Sequence, residues 1–406
     1  MSMINIGIVK ETKIPVDNRV AFTPKQLKQL QDKYPQARFY VESSDLRAYS
    51  DQAYMAEGIP VVNSLENCDV LFGIKEANVD SLLPHKHYFF FGHIAKMQPY
   101  NKPLIKKMME LGITFSDYEY LVDDNNMRLC AFGWWAGVVG VYNSLRAYGL
   151  KHKLYDIPAP DREFTLEKLL GTLKTIGDVK CKVVVTGSGR VSQGAQYVLD
   201  NVGFQKISVD EYLANDNCDT KHYTVATIKD LVLLKNNPSA EVDPVHFKSN
   251  PSKYISNFMR FAYSSDVFIS CHYWGNDDPV YLCAEDLADS NIKISVIGDV
   301  TCDIMGCIKS TLRPSTHAEP FYDYNPMTRL EERPFSSEGN ITVMAVDTCP
   351  NALALDTSEY FGESLMNYVV GDLCECRDSE VINRATILKD GILTPKYSYL
   401  KEYAGM

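Results

Sequence analysis

Long apolar runs are missing from this sequence: none approaches the ~20 residues needed to cross a bilayer, so a helical membrane span is not expected. Low-complexity tracts and internal repeats are absent too, which argues against a disordered linker or a solenoid. The start lacks the basic flank and apolar core of a signal peptide. Basic excess is lacking: 41 Lys and Arg against 52 Asp and Glu leave a net charge of −11. That balance argues against nucleic acid or an anionic membrane as the main partner. The eleven cysteines are scattered and odd in number. Cys374-x-Cys376 and Cys302-x4-Cys307 are the closest pairs, and neither belongs to a zinc-like quartet, so no metal site and a reduced, cytoplasmic compartment are expected.

What is present is an ordinary globular composition, 45% hydrophobic and 23% charged over 406 residues, enough for two domains each with its own core. The chain is organised around Lys182-Val-Val-Val-Thr-Gly-Ser-Gly-Arg-Val-Ser-Gln-Gly-Ala195. A β-branched run ends at Thr186 and reads as a buried parallel strand. Gly187-Ser188-Gly189 then permits a sharp turn, and Val191, Ala195, Val198, Leu199 and Val202 share one face of a helix stopped near Gly203. Strand, turn and helix N-terminus present backbone N–H groups to a pyrophosphate, which makes Gly187, Ser188, Gly189, Arg190 and Val191 the candidate dinucleotide contacts. The usual third glycine is missing: Ser192 occupies its place, and the next glycine is Gly194. An ordinary tight βα turn is the competing explanation.

Ahead of this motif, strands are expected at Ile4 to Val9, Arg38 to Val41, Asp69 to Lys75, Tyr88 to His93 and Gly112 to Asp117, with helices opening at Pro24 and spanning Lys102 to Leu111. Alternation of β and α implies a doubly wound parallel sheet. Lys75, His93, and Asp117 with Glu119, each follow a strand-like run. Open α/β sheets bind ligands outside the carboxyl ends of their strands, so three strands would deliver Lys75, His93 and Glu119 to one edge. The Gly-, Ala- and Trp-rich stretch from Phe132 to Leu150 suits a closely packed helix, with Trp134 and Trp135 as packing residues. A polar helix-prone segment runs from Pro160 to Val179.

Past the glycine turn, Gln205 to Val209 is the expected second strand. Asp210 and Glu211 follow where an acid would hold the adenosine ribose, although a solvated acidic loop fits the pattern as well. Residues 212–264 are polar and suggest insertions around the sheet. Strands resume at Asp266 to Cys271, Lys293 to Gly298 and Ile341 to Val346, before a helical stretch from Ser358. Asp299 and Asp303 lie just past one strand end, where they would reach the nicotinamide ribose or the substrate amine, or act only as turn caps.

The chain resembles the alanine dehydrogenase/transhydrogenase superfamily in Lys10-Glu-Thr-Lys13, Arg19-Val-Ala-Phe-Thr-Pro24, Gly73-Ile-Lys75, His93, Asp299-Val-Thr-Cys-Asp303 and Ser358-Glu-Tyr-Phe361. Asp117-Tyr-Glu-Tyr-Leu121, Arg128-Leu-Cys-Ala-Phe-Gly133, Trp135-Ala-Gly137, the cofactor loop, Tyr254-Ile-Ser256 and Leu393-Thr-Pro-Lys-Tyr-Ser-Tyr399 are similar to its lysine-forming saccharopine dehydrogenase and lysine-ketoglutarate reductase branch. The resemblance implies an α/β fold of two Rossmann-type doubly wound parallel-sheet domains facing across a cleft. Residues 1–140 with 347–406 would form a discontinuous substrate domain, and residues 141–346 a dinucleotide-binding domain. It carries the catalytic lysine and histidine onto Lys75 and His93, and the acid that tunes the lysine onto Glu119. The two substrate arginines fall on Arg19 and Arg128, and an acid of the last strand-end loop on Asp303.

The implied reaction is NAD- or NADP-dependent interconversion of saccharopine with L-lysine and 2-oxoglutarate, through hydride transfer and imine hydrolysis. His93 suits acid–base work on water and carbinolamine, because an imidazole titrates near neutrality. Lys75 either acts as a neutral base for the amine or stays charged and polarises a carbonyl. Arg19 and Arg128 suit carboxylates. Asp210 and Glu211 would repel a 2′-phosphate, while the most similar-looking reductase domains use NADP, so the choice of cofactor stays open. The expected partners are small amino acids and 2-oxo acids, with homo-oligomer formation open. An alanine dehydrogenase-like deaminase and a catalytically silent dinucleotide-binding protein are the alternatives.

Overall fold

The computed structural model describes residues 3–215 and 220–405. The polar stretch expected to hold insertions therefore contains residues 216–219, which lie outside the described residues. The chain divides into two units, one running up to Phe132 and resuming at Ala354, the other spanning Gly133–Leu353. The first boundary falls earlier than 140/141, because the whole of the helix beginning at Gly133 packs within the second unit, and the second falls later than 346/347.

The first unit opens with β1 (Ile4–Ile8), α1 (Pro24–Lys33), β2 (Ala37–Glu42), β3 (Val61–Val62), β4 (Val70–Phe72), β5 (His87–Phe90), α2 (Lys102–Glu110) and β6 (Thr114–Asp117). Helix α1 begins where its residues dictate: Thr23 caps it in a reciprocal capping box with Gln26, and Pro24 occupies the first turn. Strand β4 is shorter than the apolar run Asp69 to Lys75. Gly73 still donates to Phe89 (2.9 Å), but the next two N–H groups leave the sheet and go to the Glu11 carboxylate instead.

The second unit starts with α3 (Gly133–His152) and α4 (Leu166–Lys174). It continues through β7 (Cys181–Thr186), α5 (Arg190–Asn201), β8 (Gln205–Lys206), α6 (Val209–Ala214) and β9 (Lys221–Ala226). A two-stranded ribbon, β10 (Val232–Leu234) with β11 (Tyr254–Ser256), precedes β12 (Val267–Ser270), β13 (Val296–Asp299), β14 (Phe321–Asn325), β15 (Leu330–Glu332) and β16 (Ile341–Met344). Its main sheet has the order β15-β14-β16-β13-β12-β7-β9-β8, parallel except for β14 and β15. Every residue of β7, β12 and β13 is buried, as expected of strands covered on both faces.

After Leu353 the chain returns to the first unit through the helix Ala354–Leu365, then β17 (Thr386–Lys389) and β18 (Ile392–Leu393). Strand β17 adds antiparallel to β6 and β18 antiparallel to β17, giving the order β18-β17-β6-β5-β4-β1-β2-β3. Two α/β sheets of eight strands result, each dominated by parallel pairing. The winding reverses between β1 and β4 in one sheet and between β7 and β12 in the other, where ligands enter open α/β folds. No helix among the described residues is long and apolar enough to cross a membrane.

Candidate active site

In the first unit the loops that follow β1, β4, β5 and β6 are tied to one another. Glu11, just past β1, accepts the N–H of Ile74 at 2.6 Å and that of Lys75 at 3.0 Å. Tyr118, fully buried past β6, donates its hydroxyl to Gly73 O at 2.8 Å. Asp117 accepts the N–H groups of Gly92 (3.2 Å) and Glu119 (2.9 Å), and Asn101 donates to Gly92 O at 2.8 Å. Lys75 and His93 are thus presented by backbone held through long-range contacts rather than by free loops. His93 itself takes a left-handed backbone conformation (φ +50°) that turns the chain out of the strand direction.

Two charged clusters result. Around Lys75, the buried Asp17 grips Arg19 through two hydrogen bonds, from Nε at 2.9 Å and Nη2 at 2.5 Å. The Arg19 guanidinium also stacks 4.2 Å from the Phe132 ring centroid. Burial alone would raise the Asp17 carboxyl, but the contact with Arg19 outweighs it and holds the group low. Lys75 is pulled below its ordinary range, first by burial and then by the Arg19 charge, with Asp17 opposing. Glu11 is pushed up to about 8 by burial and by Asp17, against the pull of its two N–H donors. Lys13 pairs with Glu76 at 2.6 Å alongside.

Around His93, the nearly buried Glu119 lies 2.8 Å from Lys96, 3.3 Å from Arg128 and 3.4 Å from His93 Nδ1. Burial alone would raise Glu119, yet His93 and Lys96 bring it to about 2, so it stays a carboxylate. Behind it, burial raises Asp117 to about 7. The acid that the resemblance assigns to tuning Lys75 therefore stands elsewhere. Strand β5 separates β4 from β6, so Glu119 meets the His93 loop, and the charges acting on Lys75 come from Arg19, Asp17, Lys13 and Glu76. Glu11, Asp17 and Lys96 carry no role in the sequence reading. The signal for Glu11 was available, since the strand-end argument applied to β1 points at residues 9–13.

In the second unit, the glycine turn has the geometry of a phosphate cradle. Gly187 sits at φ +91°, where an added Cβ would come within 2.8 Å of Cys271 O, while a Cβ on Gly189 would meet open space. No side chain caps the N-terminus of α5, so Gly189, Arg190 and Val191 present the start of a twelve-residue helix to that space. A dinucleotide pyrophosphate fits this arrangement. Close by, His272 pairs with Thr186 Oγ1 (2.7 Å) and Cys307 Sγ (3.1 Å), and burial drops it to about 4, leaving it a neutral brace.

Asp299, Asp210 and Glu211 lie differently from expectation. Asp299 is buried with both oxygens engaged, accepting from Ser270 (2.7 Å), Thr301 (2.6 Å), the Cys302 N–H (3.2 Å) and Thr311 (2.6 Å). It braces β12, β13 and the following loop rather than reaching for a ribose. Asp210 and Glu211 are exposed in the first turn of α6, capped by Ser208. They follow β8, an edge strand, whereas β9 is the strand paired with β7. Asp303, half-buried, is raised by burial and by the Asp299 charge.

A sequence model described as the alanine dehydrogenase/PNT N-terminal domain matches residues 7–139. An α-aminoadipic semialdehyde synthase of Arabidopsis thaliana is 27% identical over 97% of this chain, which spans only 41% of that relative. The NAD(+)-dependent, L-lysine-forming saccharopine dehydrogenase of Schizosaccharomyces pombe is 27% identical over 88% of this chain and 89% of its own length. An L-alanine dehydrogenase structure aligns with a TM-score of 0.65 at 17% identity, covering 98% of this chain and 99% of that one, a likeness of fold. Residues 7–139 thus match the alanine dehydrogenase/PNT N-terminal domain, and the chain resembles that superfamily and, within it, the saccharopine dehydrogenases and aminoadipic semialdehyde synthases.

Proposed function

We propose that the chain is an NAD(P)-dependent oxidoreductase acting on a secondary amine, interconverting saccharopine with L-lysine and 2-oxoglutarate. The observation that carries this reading is the assembly of Lys75 with Asp17 and Arg19, and of His93 with Glu119 and Arg128, on adjacent strand ends of one unit. The second unit supplies the glycine turn. The similarity to saccharopine dehydrogenase along most of both chains supports the choice of substrate.

A bound nicotinamide would supply hydride transfer at the α-carbon of the glutamyl half. The residues of the chain manage protons and charge. Lys75, depressed by burial and Arg19, takes the proton from the secondary amine of saccharopine. His93, 3.4 Å from Glu119 through its Nδ1, removes a proton from the water that adds to the imine carbon, returns it to the departing lysine nitrogen, and takes up the carbinolamine hydroxyl proton as the carbonyl forms. Arg19, aimed by Asp17, and Arg128 meet substrate carboxylates. Asp303, half-buried in the loop after β13, would hold an amine or ribose hydroxyl.

The decisive assay follows oxidation of NADH or NADPH with 2-oxoglutarate plus lysine. Turnover is expected there, and Lys75→Met and His93→Gln each lower kcat by ~10²-fold or more. Turnover with pyruvate and ammonia but not with lysine would replace this reading by the alanine dehydrogenase one.

A further inference from the structure

The turn that presents His93 and Lys96 has little packing to hold it. Residues 96–100 are all exposed, and two non-glycine residues, His93 (φ +50°) and Met97 (φ +53°), take the left-handed conformation. Such backbone persists only where the surrounding structure over-determines it. At the start of the turn, Asp117 and Asn101 hold the N–H and the carbonyl of Gly92, at 3.2 and 2.8 Å. Two further ties come from residues 304 and 305 positions further along the chain.

Past β18 the chain forms a 3₁₀ turn, Pro395–Leu400, and a helical turn, Lys401–Ala404. This segment is anchored in the first unit, because Tyr397 and Leu400 are buried and Tyr397 donates its hydroxyl to Arg384 O at 2.8 Å. From that anchor Tyr399 donates to Ala95 O at 3.1 Å and Tyr403 to Gln98 O at 2.5 Å. The Tyr397 ring also meets Tyr120 edge-on, with centroids 5.6 Å apart, and Tyr120 directly follows Glu119. One segment therefore touches both turns whose side chains meet: the turn of His93 and Lys96, and the turn of Glu119, which lies 3.4 Å from His93 and 2.8 Å from Lys96.

We propose that Tyr399 and Tyr403 are positioning residues, whose hydroxyls fix the turn 94–98 and so set where His93 and Lys96 stand against Glu119. The proposal rests on the reading of His93 as the acid–base group. Tyr399 is exposed and Tyr403 half-buried, so removal of either hydroxyl leaves the core of the unit untouched. The exposed turn then relaxes from its left-handed residues, and a displaced His93 slows the proton transfers more than it weakens substrate binding.

The double variant Tyr399→Phe/Tyr403→Phe of the full chain tests this with two readouts. In NADH or NADPH oxidation with lysine and 2-oxoglutarate, kcat should fall ~10-fold, and ~3-fold in each single variant. KM for both substrates and dinucleotide affinity should stay within ~2-fold, and the melting temperature within ~4 °C. The second readout is independent of turnover. In a ¹H–¹³C spectrum of histidine-labelled protein, the His93 signal, identified by its loss in His93→Gln, should shift in the double variant, while that of His272 in the second unit stays in place. Unchanged kcat, or a loss spread equally over kcat, KM and dinucleotide affinity, overturns the positioning role and leaves the oxidoreductase reading intact. Absence of turnover with lysine in the parent protein removes that reading instead, and the His93 signal then decides the positioning alone: shifted, the role stands; unmoved, it falls.

Discussion

Gly194 lies in the interior of α5, where alanine is ordinarily favoured over glycine by ~1 kcal/mol. Gly194→Ala nevertheless should destabilise the second unit, because helices α3 and α5 meet there backbone to backbone. A Cβ on Gly194 would stand 1.9 Å from Trp134 O and 2.8 Å from Trp134 C; reciprocally, one on Gly137 would stand 1.9 Å from Val191 O. Moving the nearest contact from 1.9 Å to even 3.0 Å requires the helices to separate by roughly 1 Å. No rotamer can relieve a clash with a carbonyl. Overpacking costs ~1–3 kcal/mol where side chains can shift, and the upper part of that range applies to backbone. Net of the propensity gain, the loss is about 2 kcal/mol, or about 4–8 °C in the melting temperature of a unit this size. Gly171→Ala is the control. It too is helical, in α4, but its added Cβ meets nothing within 4 Å, so a gain of ~0.5–1 kcal/mol is expected. Calorimetric melts of both variants decide the matter, and dinucleotide titration should show Gly194→Ala weakened, because α5 carries the turn. A Gly194→Ala protein that melts at or above the parent would refute the close-packing argument.

Glu11→Gln should lower kcat by ~10-fold and the melting temperature by a few degrees, because an amide can accept only one of the Ile74 and Lys75 N–H groups; a KM effect without a kcat effect would assign Glu11 to binding instead. The depressed carboxyl of Glu119 predicts acid sensitivity of defined sign. Its stabilising contribution is complete above the ordinary value of 4.5 and is lost as pH falls towards about 2, so Glu119→Gln should show a shallower decline of stability with acid over that interval.

Patterns carried along a few neighbouring residues were legible in the sequence itself. The β-branched run ending at Thr186, the Gly-x-Gly turn and the apolar stripe of α5 specify strand, turn and helix locally, and the structure has them in that order. The runs before Lys75, His93 and Glu119 likewise marked strand ends, and side-chain alternation makes such runs readable without knowing their partners. Pairings between residues distant in the chain were not legible. Glu11 and Lys75 are 64 residues apart, so nothing local shows that one carboxylate replaces two rungs of a β ladder. Glu119 belongs to His93 because β5 lies between β4 and β6, an ordering that tertiary structure alone establishes. Asp299 looked available in one dimension and is saturated in three, since its donors come from β12 and from residues 301–311. The same holds for the acids after β8: only the insertion of β9 beside β7 puts Asp210 and Glu211 behind an edge strand rather than behind the strand paired with β7. Short-range pattern determines which element forms, while strand order decides which side chains share a space, because hydrogen bonds and charges act across ångströms and not along the chain.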